Sequence, residues 1–338
     1  MTVLTRSIHN LLEIQLIIKK IKIGSLELKN NIFLSPMAGI TNSAFRCFCL
    51  EGGAGLVASE MVSTESLKYS SKKSFEMLKV LPSEHPIAVQ IFGSDPETMA
   101  NAAVHAESEG ADIVDINASC PVKKILRSGS GAMLMKNPIL MGDIITAVKK
   151  KVKCPVTIKF RVGFTEKENL SVELAKIAEA SGADAISVHG RSVSRMHNGE
   201  IDLDFLHKTA EGVSVPVIGN GGIVSAKTAK EMFMAGCDAV SIGRAAVGNP
   251  RIFSEIISEL NGKEPEHTSD SDKIKMLIRF ITLNSELYGE VYGVIRARKL
   301  VGYWLKGLKS GAELRKYFMA AGNLKEAKVL LLQYIQKG

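Results

Sequence analysis

Short apolar runs recur along the chain, and most are followed by a stretch in which apolar residues repeat with the period of a helix. Each run has the length of a buried strand and is bounded by turn-forming residues. We therefore predict eight strands, at residues 32–34, 55–60, 87–92, 113–117, 156–160, 185–189, 215–219 and 239–243.

Glycine lies shortly before several of these strands, in the phrases EGGAG, ESEGAD, EASGAD and FMAGCD, where it can end the preceding helix. Alternating strands and helices form a parallel sheet, and eight such units predict closure into a (β/α)8 TIM barrel. An open, doubly wound sheet is the alternative. The first strand is not followed by a GxGxxG motif, which argues against the dinucleotide-binding form of that sheet.

The chain changes character after the last barrel helix. Residues 262–272 are polar, contain proline and are typical of a linker. Helical periodicity then predicts three helices at 273–288, 291–308 and 311–338. We therefore predict an N-terminal arm and barrel at 1–262, a linker at 263–272 and a small all-α C-terminal domain at 273–338.

Two shorter predictions concern the beginning of the barrel. Residues 21–28 resemble a hairpin that turns at Gly24, and Asn42 is a good N-cap for a helix that extends to about residue 50. The apolar stretch at 11–18 is interrupted by polar residues and has no cleavage site after it. We expect neither a signal peptide nor a membrane span there. We therefore expect the protein to be cytoplasmic.

The net charge of +8 is unevenly distributed. Residues 273–338 contain 13 Lys and Arg against 4 Asp and Glu, so this region alone carries +9. That concentration indicates a polyanionic partner, with a solvated helical surface as the alternative. The five cysteines are irregularly spaced and the seven histidines are scattered, so we predict neither a disulfide framework nor a metal site.

The loop after the strand at 113–117 carries the strongest candidate for catalysis. Pro121 cannot donate to a strand ladder, so the strand ends before it and leaves Asn117 and Cys120 on a loop. In a parallel barrel, chemistry takes place at this carboxyl end of the strands. A thiol has an ordinary pKa near ~8.5 and is mostly protonated at neutral pH, so Cys120 can donate a proton.

Glycine loops follow the last two predicted strands. Asn220, Gly221 and Gly222 end one strand, and Gly243 and Arg244 end the other. Glycine allows backbone N–H groups to approach an anion, and the arginine supplies charge. Because barrels commonly bind phosphate at this place, the two loops together predict a phosphate site, although either could be simple turn chemistry.

Lys159 and Arg161 alternate along one strand, so both can face the barrel interior. A lysine in that position needs a partner, which can be a carboxylate such as Asp115 or an anionic cofactor. A Schiff-base lysine is a third interpretation. His189 ends another strand, where a core role and a catalytic role both stay open.

Gln90 and Met37 each have a packing alternative to a ligand-binding role. Gln90 offers a donor and an acceptor to a heterocycle, or joins a network of polar side chains. Met37, between Pro36 and Ala38, is suited to the face of a flat ring or to simple packing.

These motifs occur together in one known family. With SPMAGITNSAFR at 35–46 and DINASCP at 115–121, the chain resembles the tRNA-dihydrouridine synthases, and most closely the bacterial B-type. The resemblance extends from about residue 21 to the C-terminus through VQIFGSD, KKILRSGSGAML, TIKFRVG, SVHGRS, VIGNGGI and SIGRAAVGNP.

The resemblance implies that FMN binds in the barrel mouth, that NADPH or NADH reduces it, and that uridines in tRNA become dihydrouridine. It implies hydride addition to C6 of uracil and proton donation to C5 by Cys120. The basic helical tail would bind tRNA, and we expect a monomer. Substrate contacts would come from Asn117, Arg161 and Arg191, and cofactor contacts from Pro36, Met37, Ala38, Gln90, Lys159, His189, Asn220, Gly221, Gly222, Gly243 and Arg244.

Two positions depart from the family's common pattern. Ala118 and Ser119 replace Met-Gly before the cysteine, and Gly222 replaces an aspartate. Three alternatives stay open: an FMN enzyme acting on a free pyrimidine or another small enone, a Schiff-base aldolase, and an RNA-binding protein on an inactive barrel. The basic tail argues against the first, and the second leaves Cys120 without a role. Cys120 together with Lys159 argues against the third.

Overall fold

Parallel strands form a ring around the centre of the molecule. The structure is a computed structural model and describes residues 17–337. A short antiparallel hairpin of β1 (Ile21–Ile23) and β2 (Leu26–Leu28) precedes the ring. The ring itself contains β3 (Ile32–Leu34), β4 (Val57–Ala58), β6 (Ile87–Phe92), β7 (Ile113–Asn117), β8 (Val156–Arg161), β9 (Ala185–His189), β10 (Val217–Asn220) and β11 (Ala239–Ile242).

The strand order is β3-β11-β10-β9-β8-β7-β6-β4, all parallel. Between β3 and β4 the ring is closed by a bridge from Phe33 to Leu56 and by the Leu34 N–H, which donates to the Leu56 carbonyl at 2.8 Å. The predicted (β/α)8 barrel is thus confirmed, and the open doubly wound alternative is wrong.

One predicted strand is divided. The prediction of a continuous strand at 55–60 is wrong, because the chain leaves the sheet after Ala58 and returns as β5 (Val62–Ser63), which pairs with the end of β6. In the gap, the Ser59 hydroxyl accepts from the Gln90 N–H at 2.9 Å, and Glu60 accepts from the backbone N–H of Gly39. The Ser59 N–H still donates to the Ala88 carbonyl at 2.9 Å, so a side-chain acceptor takes over only at the Gln90 N–H.

The barrel helices begin where short polar side chains can cap them. Asn42 accepts from the Phe45 N–H, as predicted, and Asp95 accepts from the Thr98 N–H. The helices of the barrel region are α1 (Ser43–Glu51), α2 (Thr64–Lys68), α3 (Lys72–Leu78), α4 (Pro96–Ser108), α5 (Lys123–Arg127), α6 (Pro138–Lys151), α7 (Ser171–Ala180), α8 (Leu203–Glu211), α9 (Ala226–Met234) and α10 (Ile252–Leu260).

The C-terminal region contains four helices instead of the predicted three: α11 (Asp270–Tyr288), α12 (Glu290–Trp304), α13 (Gly311–Ala320) and α14 (Leu324–Lys337). The prediction of one helix at 311–338 is wrong because Asn323 accepts from the Glu326 N–H at 2.9 Å and begins a new helix. The first helix begins at Asp270, inside the predicted linker, because Ser269 forms a capping box with Asp272.

The C-terminal helices share one hydrophobic core with the barrel. Phe48 of α1 contacts Phe280 and Trp304 edge to face, with ring centroids 5.8 and 6.4 Å apart. Glu51 pairs with Arg279 at 2.6 Å. The helical region is therefore better probed by surface substitutions than by truncation, which would expose these aromatic rings. The domain limits at 262 and 273 stay a prediction.

The hairpin of β1 and β2, predicted at 21–28, covers the amino end of the barrel. Ile21, Ile23 and Leu28 are buried against apolar residues at the beginnings of the ring strands. The carboxyl ends of the strands are thus the open end. Residues 11–16 of the apolar stretch at 11–18, where neither a signal peptide nor a membrane span is expected, lie outside the described residues. Among residues 17–337, no helix has the length and apolar character needed to cross a membrane.

Candidate active site

A buried lysine occupies the barrel interior near its open end. Lys159 on β8 is 6% exposed, and its Nζ donates at 2.7 Å to Oδ1 of Asn220 at the end of β10. The Asn220 amide is oriented by a bond from Nδ2 to the Ser241 carbonyl at 2.7 Å. Burial, assisted by the charge of Arg161, lowers the pKa of Lys159 to about 7. Its acceptor is a neutral amide, so the ammonium has capacity to bind an anionic group.

The loop of Cys120 is shaped by Asn117. Oδ1 of Asn117 accepts from the backbone N–H groups of Ser119 and Cys120 at 3.1 and 3.0 Å. The thiol is partly buried, and this burial raises its pKa, against the opposing effects of a backbone hydrogen bond and of Arg161. Cys120 is therefore protonated at neutral pH, which is the state a proton donor needs.

Gly131 permits the chain after α5 to approach this loop closely. Its φ is +60°, and a Cβ there would lie 2.9 Å from the Cys120 carbonyl oxygen. The next residue, Ala132, donates its N–H to the same carbonyl at 3.1 Å. The loop is thus held from both sides.

Arg161 is buried beneath the Cys120 loop. Its Nε donates to the Ser119 carbonyl at 3.0 Å, and its Nη1 donates to the carbonyls of Ser192 and Met196 at 3.1 and 2.7 Å. Burial lowers its pKa to about 10, so it stays charged. Arg161 joins the Cys120 loop to the loop after β9, and its predicted contact with substrate stays a prediction.

His189 ends β9 as a neutral imidazole. Its Nδ1 accepts from the Arg191 N–H at 3.1 Å, which places the ring proton on Nε2. Burial, together with the positive charges of Lys159 and Arg161, holds the pKa of His189 far below its usual range. This residue can donate a hydrogen bond to a ligand, and it does not change charge between pH 5 and 8.

The two glycine loops lie beside a cluster of positive side chains. Gly221 and Gly222 have φ of +109° and +66°, and Arg191 Nη2 would be 3.6 Å from a Cβ on Gly222. Burial and the nearby charge of Arg244 lower the pKa of Arg191. Cationic groups that repel one another beside open backbone are suited to a phosphate.

The departure at Gly222 has a steric explanation in this chain. A Cβ there would lie 2.9 Å from Cγ1 of Ile201, and its positive φ is unfavourable for other residues. A side chain at position 222 would therefore require Ile201 to move.

The first strand contributes its carboxyl end to the same mouth. Pro36 and Met37 are half-buried and Ala38 is exposed, and Sδ of Met37 would be 3.8 Å from a Cβ on Gly243. Thr41 fixes this turn, since its hydroxyl accepts from the Met37 N–H at 3.2 Å. Pro36, Met37 and Ala38 thus lie at the same end of the barrel as Lys159, His189 and the glycine loops. Gln90 is 1% exposed and is bonded to Asp115 and Asn117.

Sequence analysis missed Glu60 and His197. Glu60 accepts from the Gly39 N–H and pairs with Arg296 of α12 at 3.7 Å, which connects the helical region to the barrel mouth. The His197 ring centroid is 6.1 Å from that of His189, and its carbonyl accepts from Arg244. Glu60 could have been identified as an acidic residue at a predicted strand's end, whereas His197 lies in a loop without a motif.

Solved structures of other proteins share the fold of this barrel. A morphinone reductase variant in complex with tetrahydroNAD has a TM-score of 0.55 at 16% identity, covering 74% of this chain and 92% of that one. An old yellow enzyme homologue from Zymomonas mobilis has a TM-score of 0.55 at 15% identity, covering 72% of this chain and 92% of that chain. At such identities the likeness establishes the fold class, a TIM barrel.

Sequence comparison identifies the family. Residues 33–337 match the family model described as Dihydrouridine synthase (Dus). The tRNA-dihydrouridine synthase B of Vibrio parahaemolyticus is 39% identical over 302 residues, covering 88% of this chain and 94% of the relative. A probable tRNA-dihydrouridine synthase of Rickettsia conorii is 39% identical over 298 residues, covering 87% and 90%. The chain belongs to the dihydrouridine synthase family, which confirms the resemblance.

Proposed function

We propose that this protein reduces uridines in tRNA to 5,6-dihydrouridine, with FMN as its bound cofactor and NADPH or NADH as reductant. The relatives named above carry the substrate in their names. The observation that carries the proposal is the position of Cys120, on a loop held by Asn117 at the same end of the barrel as Lys159 and the glycine loops.

The residues of the mouth fit a flavin mononucleotide. Asn220, Gly221, Gly222, Gly243 and Arg244 would hold its phosphate, and Pro36, Met37 and Ala38 would line its ring. Arg191 was expected to contact substrate, but its guanidinium lies beside Gly222, so we assign it to the phosphate instead. Lys159 and Gln90 would face the polar edge of the ring, with His189 beside it. Bound FMN, once reduced, supplies the hydride that adds to C6 of uracil.

The protein's own residues would then complete the reduction. Negative charge develops on the uracil ring as C6 accepts the hydride, and the C5 carbon needs a proton. The Cys120 thiol would donate it, because burial keeps the thiol protonated near neutral pH. Lys159 would stabilise negative charge on the cofactor, and Asn117 would orient the uracil beside the thiol.

Mapping of dihydrouridine by mass spectrometry tests this function. Unmodified tRNA incubated with the purified protein and NADPH should gain two mass units at specific uridines. Free uracil or uridine under the same conditions should gain none. Reduction of the free base with no change in tRNA would favour the small-molecule alternative instead.

We expect Arg244→Ala to weaken FMN retention. The substitution removes a charge-assisted hydrogen bond to the phosphate and should raise the flavin dissociation constant by roughly tenfold or more. The measurement is flavin fluorescence on dilution. Arg195→Ala is the matched control, because the Arg195 guanidinium is already paired with Glu166 at 2.6 Å. Equal flavin loss in both variants would contradict a specific role for Arg244.

The basic helical region should bind the tRNA. Lys309 and Lys316 are exposed there, and Lys309→Glu/Lys316→Glu should weaken tRNA binding roughly tenfold and flatten its dependence on salt. Lys150→Glu/Lys151→Glu is the control, since it makes the same charge change at the end of α6, near the amino ends of the strands. Fluorescence anisotropy at several salt concentrations measures both. Equal losses in the two variants would indicate a general charge effect.

A further inference from the structure

The buried carboxylate of Asp115 has no part in the proposed chemistry, yet it begins a chain of hydrogen bonds that ends at Cys120. Its Oδ1 accepts from the Thr157 hydroxyl at 2.7 Å, and its Oδ2 accepts from Gln90 Nε2 at 2.6 Å. Gln90 Oε1 then accepts from Asn117 Nδ2 at 2.8 Å. Asn117 Oδ1 accepts from the Cys120 backbone N–H at 3.0 Å.

The strand register places Gln90, Asp115 and Thr157 side by side, with Asn117 two residues further along β7; together they are called the row. Gln90 is opposite Asp115 in the β6–β7 pair, and Asp115 is opposite Thr157 in the β7–β8 pair. All of them are buried, with exposures of 6% or less, so water does not readily replace a lost partner. Each contact in the row therefore depends on its neighbours.

The groups at the two ends of the row determine which side chain donates and which accepts in each hydrogen bond between them. At one end the carboxylate of Asp115 accepts, and at the other end backbone N–H groups can only donate. The amides of Gln90 and Asn117 each have one donating and one accepting side, so a single combination of orientations satisfies the whole row. Turning either amide would place two donors or two acceptors against each other.

We propose that Asp115 is a positioning residue that orients the Cys120 loop through the amides of Gln90 and Asn117. What it contributes is a hydrogen-bond acceptor, and its negative charge is secondary. The proposal rests on the proposed function in one respect, the role of Cys120 as proton donor. The hydrogen-bond row can be tested without turnover.

Two substitutions distinguish the acceptor from the charge. Asp115→Leu removes the acceptor and leaves Gln90 Nε2 without its partner, so the amides of Gln90 and Asn117 are no longer held in one orientation. Asp115→Asn removes only the charge, because the Thr157 hydroxyl can accept from the new amide nitrogen and leave the new amide oxygen for Gln90. The conservative variant should therefore restore what the apolar variant loses.

The readout is the alkylation rate of Cys120, resolved by peptide mass spectrometry on the purified flavoprotein. A released loop exposes the thiol, so Asp115→Leu should raise that rate about fivefold or more, whereas Asp115→Asn should stay within about twofold of wild type. Gln90→Met interrupts the same row with a side chain of similar length and should raise the rate as Asp115→Leu does. It carries the test if the leucine variant does not fold.

Controls separate orientation from stability. The Asp112 carboxylate accepts from the Ile87 N–H at 2.8 Å, just before β7 at the opposite end of the barrel. Asp112→Leu therefore removes a contact of the same kind with a buried strand, far from Cys120. It should leave the Cys120 rate unchanged, and the half-buried Cys154 should react equally in all variants.

An unchanged Cys120 rate in Asp115→Leu and Gln90→Met overturns the proposal, as does an Asp115→Asn variant that behaves like Asp115→Leu. Failure of the proposed function gives a different result, namely normal tRNA-dependent flavin reoxidation in Cys120→Ala.

Discussion

Replacing Cys120 with alanine should separate the two half-reactions of the proposed cycle. Reduction of the flavin by NADPH needs no proton from this thiol and should continue near the wild-type rate. Transfer to uridine needs a proton at C5, so tRNA-dependent reoxidation of the flavin should slow by roughly 10²–10⁴-fold, the usual contribution of a positioned general acid. Stopped-flow absorbance of the pre-reduced variant, mixed with unmodified tRNA, measures this step.

Two further variants, a conservative substitution at Cys120 and a control at another cysteine, test whether the effect is specific to the Cys120 thiol. Cys120→Ser keeps a hydroxyl at the site, but a hydroxyl is a far weaker acid than a thiol, so at most partial recovery is expected. Cys154→Ala removes a half-buried thiol near the amino end of β8 and should reoxidise normally. If Cys120→Ala loses stability but reoxidises at the wild-type rate, the thiol only packs the loop between Asn117 and Pro121.

The barrel and the position of its catalytic loop could be predicted because they depend on local signals. The eight strands are short apolar runs between turn residues, and Pro121 ends one of them wherever the rest of the chain goes. The glycines of the last two loops could likewise be identified directly in the sequence. The positive φ values of Gly221 and Gly222 and the nearby Arg191 agree with an anion site.

The hydrogen bonds of the site could not be predicted, because they join residues that are far apart in the sequence. Lys159 was expected to meet a carboxylate or an anion, and its acceptor in the structure is the amide of Asn220, 61 residues later. Arg161 was expected to contact substrate, and it donates to backbone carbonyls that lie 30 to 42 residues away. Such partners follow from strand register and loop paths, which no local pattern encodes.

The break inside the predicted helix at 311–338 is a different kind of error. Gly322 and Asn323 are turn and capping residues, so the signal for two helices was present in the sequence. Helical periodicity continues on both sides of the break and concealed it. A capping residue should therefore be weighed even where the apolar period is unbroken.

The free energy of unfolding of the flavin-free protein should rise with pH above 7 because of Lys159. Burial lowers the pKa of this lysine to about 7, whereas in the unfolded chain it is about 10.4. Between these values the unfolded chain binds one more proton than the folded chain, so each pH unit should stabilise the fold by about 1.4 kcal/mol from this group. Urea denaturation of wild type and Lys159→Met from pH 7 to pH 10 measures the effect, because the wild type should gain stability relative to the variant as the pH rises.

A matched pair of variants tests the cause of that slope. Lys159→Met has no group to titrate, and Lys159→Arg carries a guanidinium that stays charged, so the difference between these two variants should not change with pH. The arginine variant should be the less stable at every pH, because it buries a charge whose acceptor, Asn220, is neutral. Parallel curves for wild type and Lys159→Met would show that the lysine stays charged in the fold. An anionic ligand should raise the pKa of Lys159 again, so binding of the flavin above pH 7 should take up a proton. Bound FMN should therefore reduce the increase of unfolding free energy with pH.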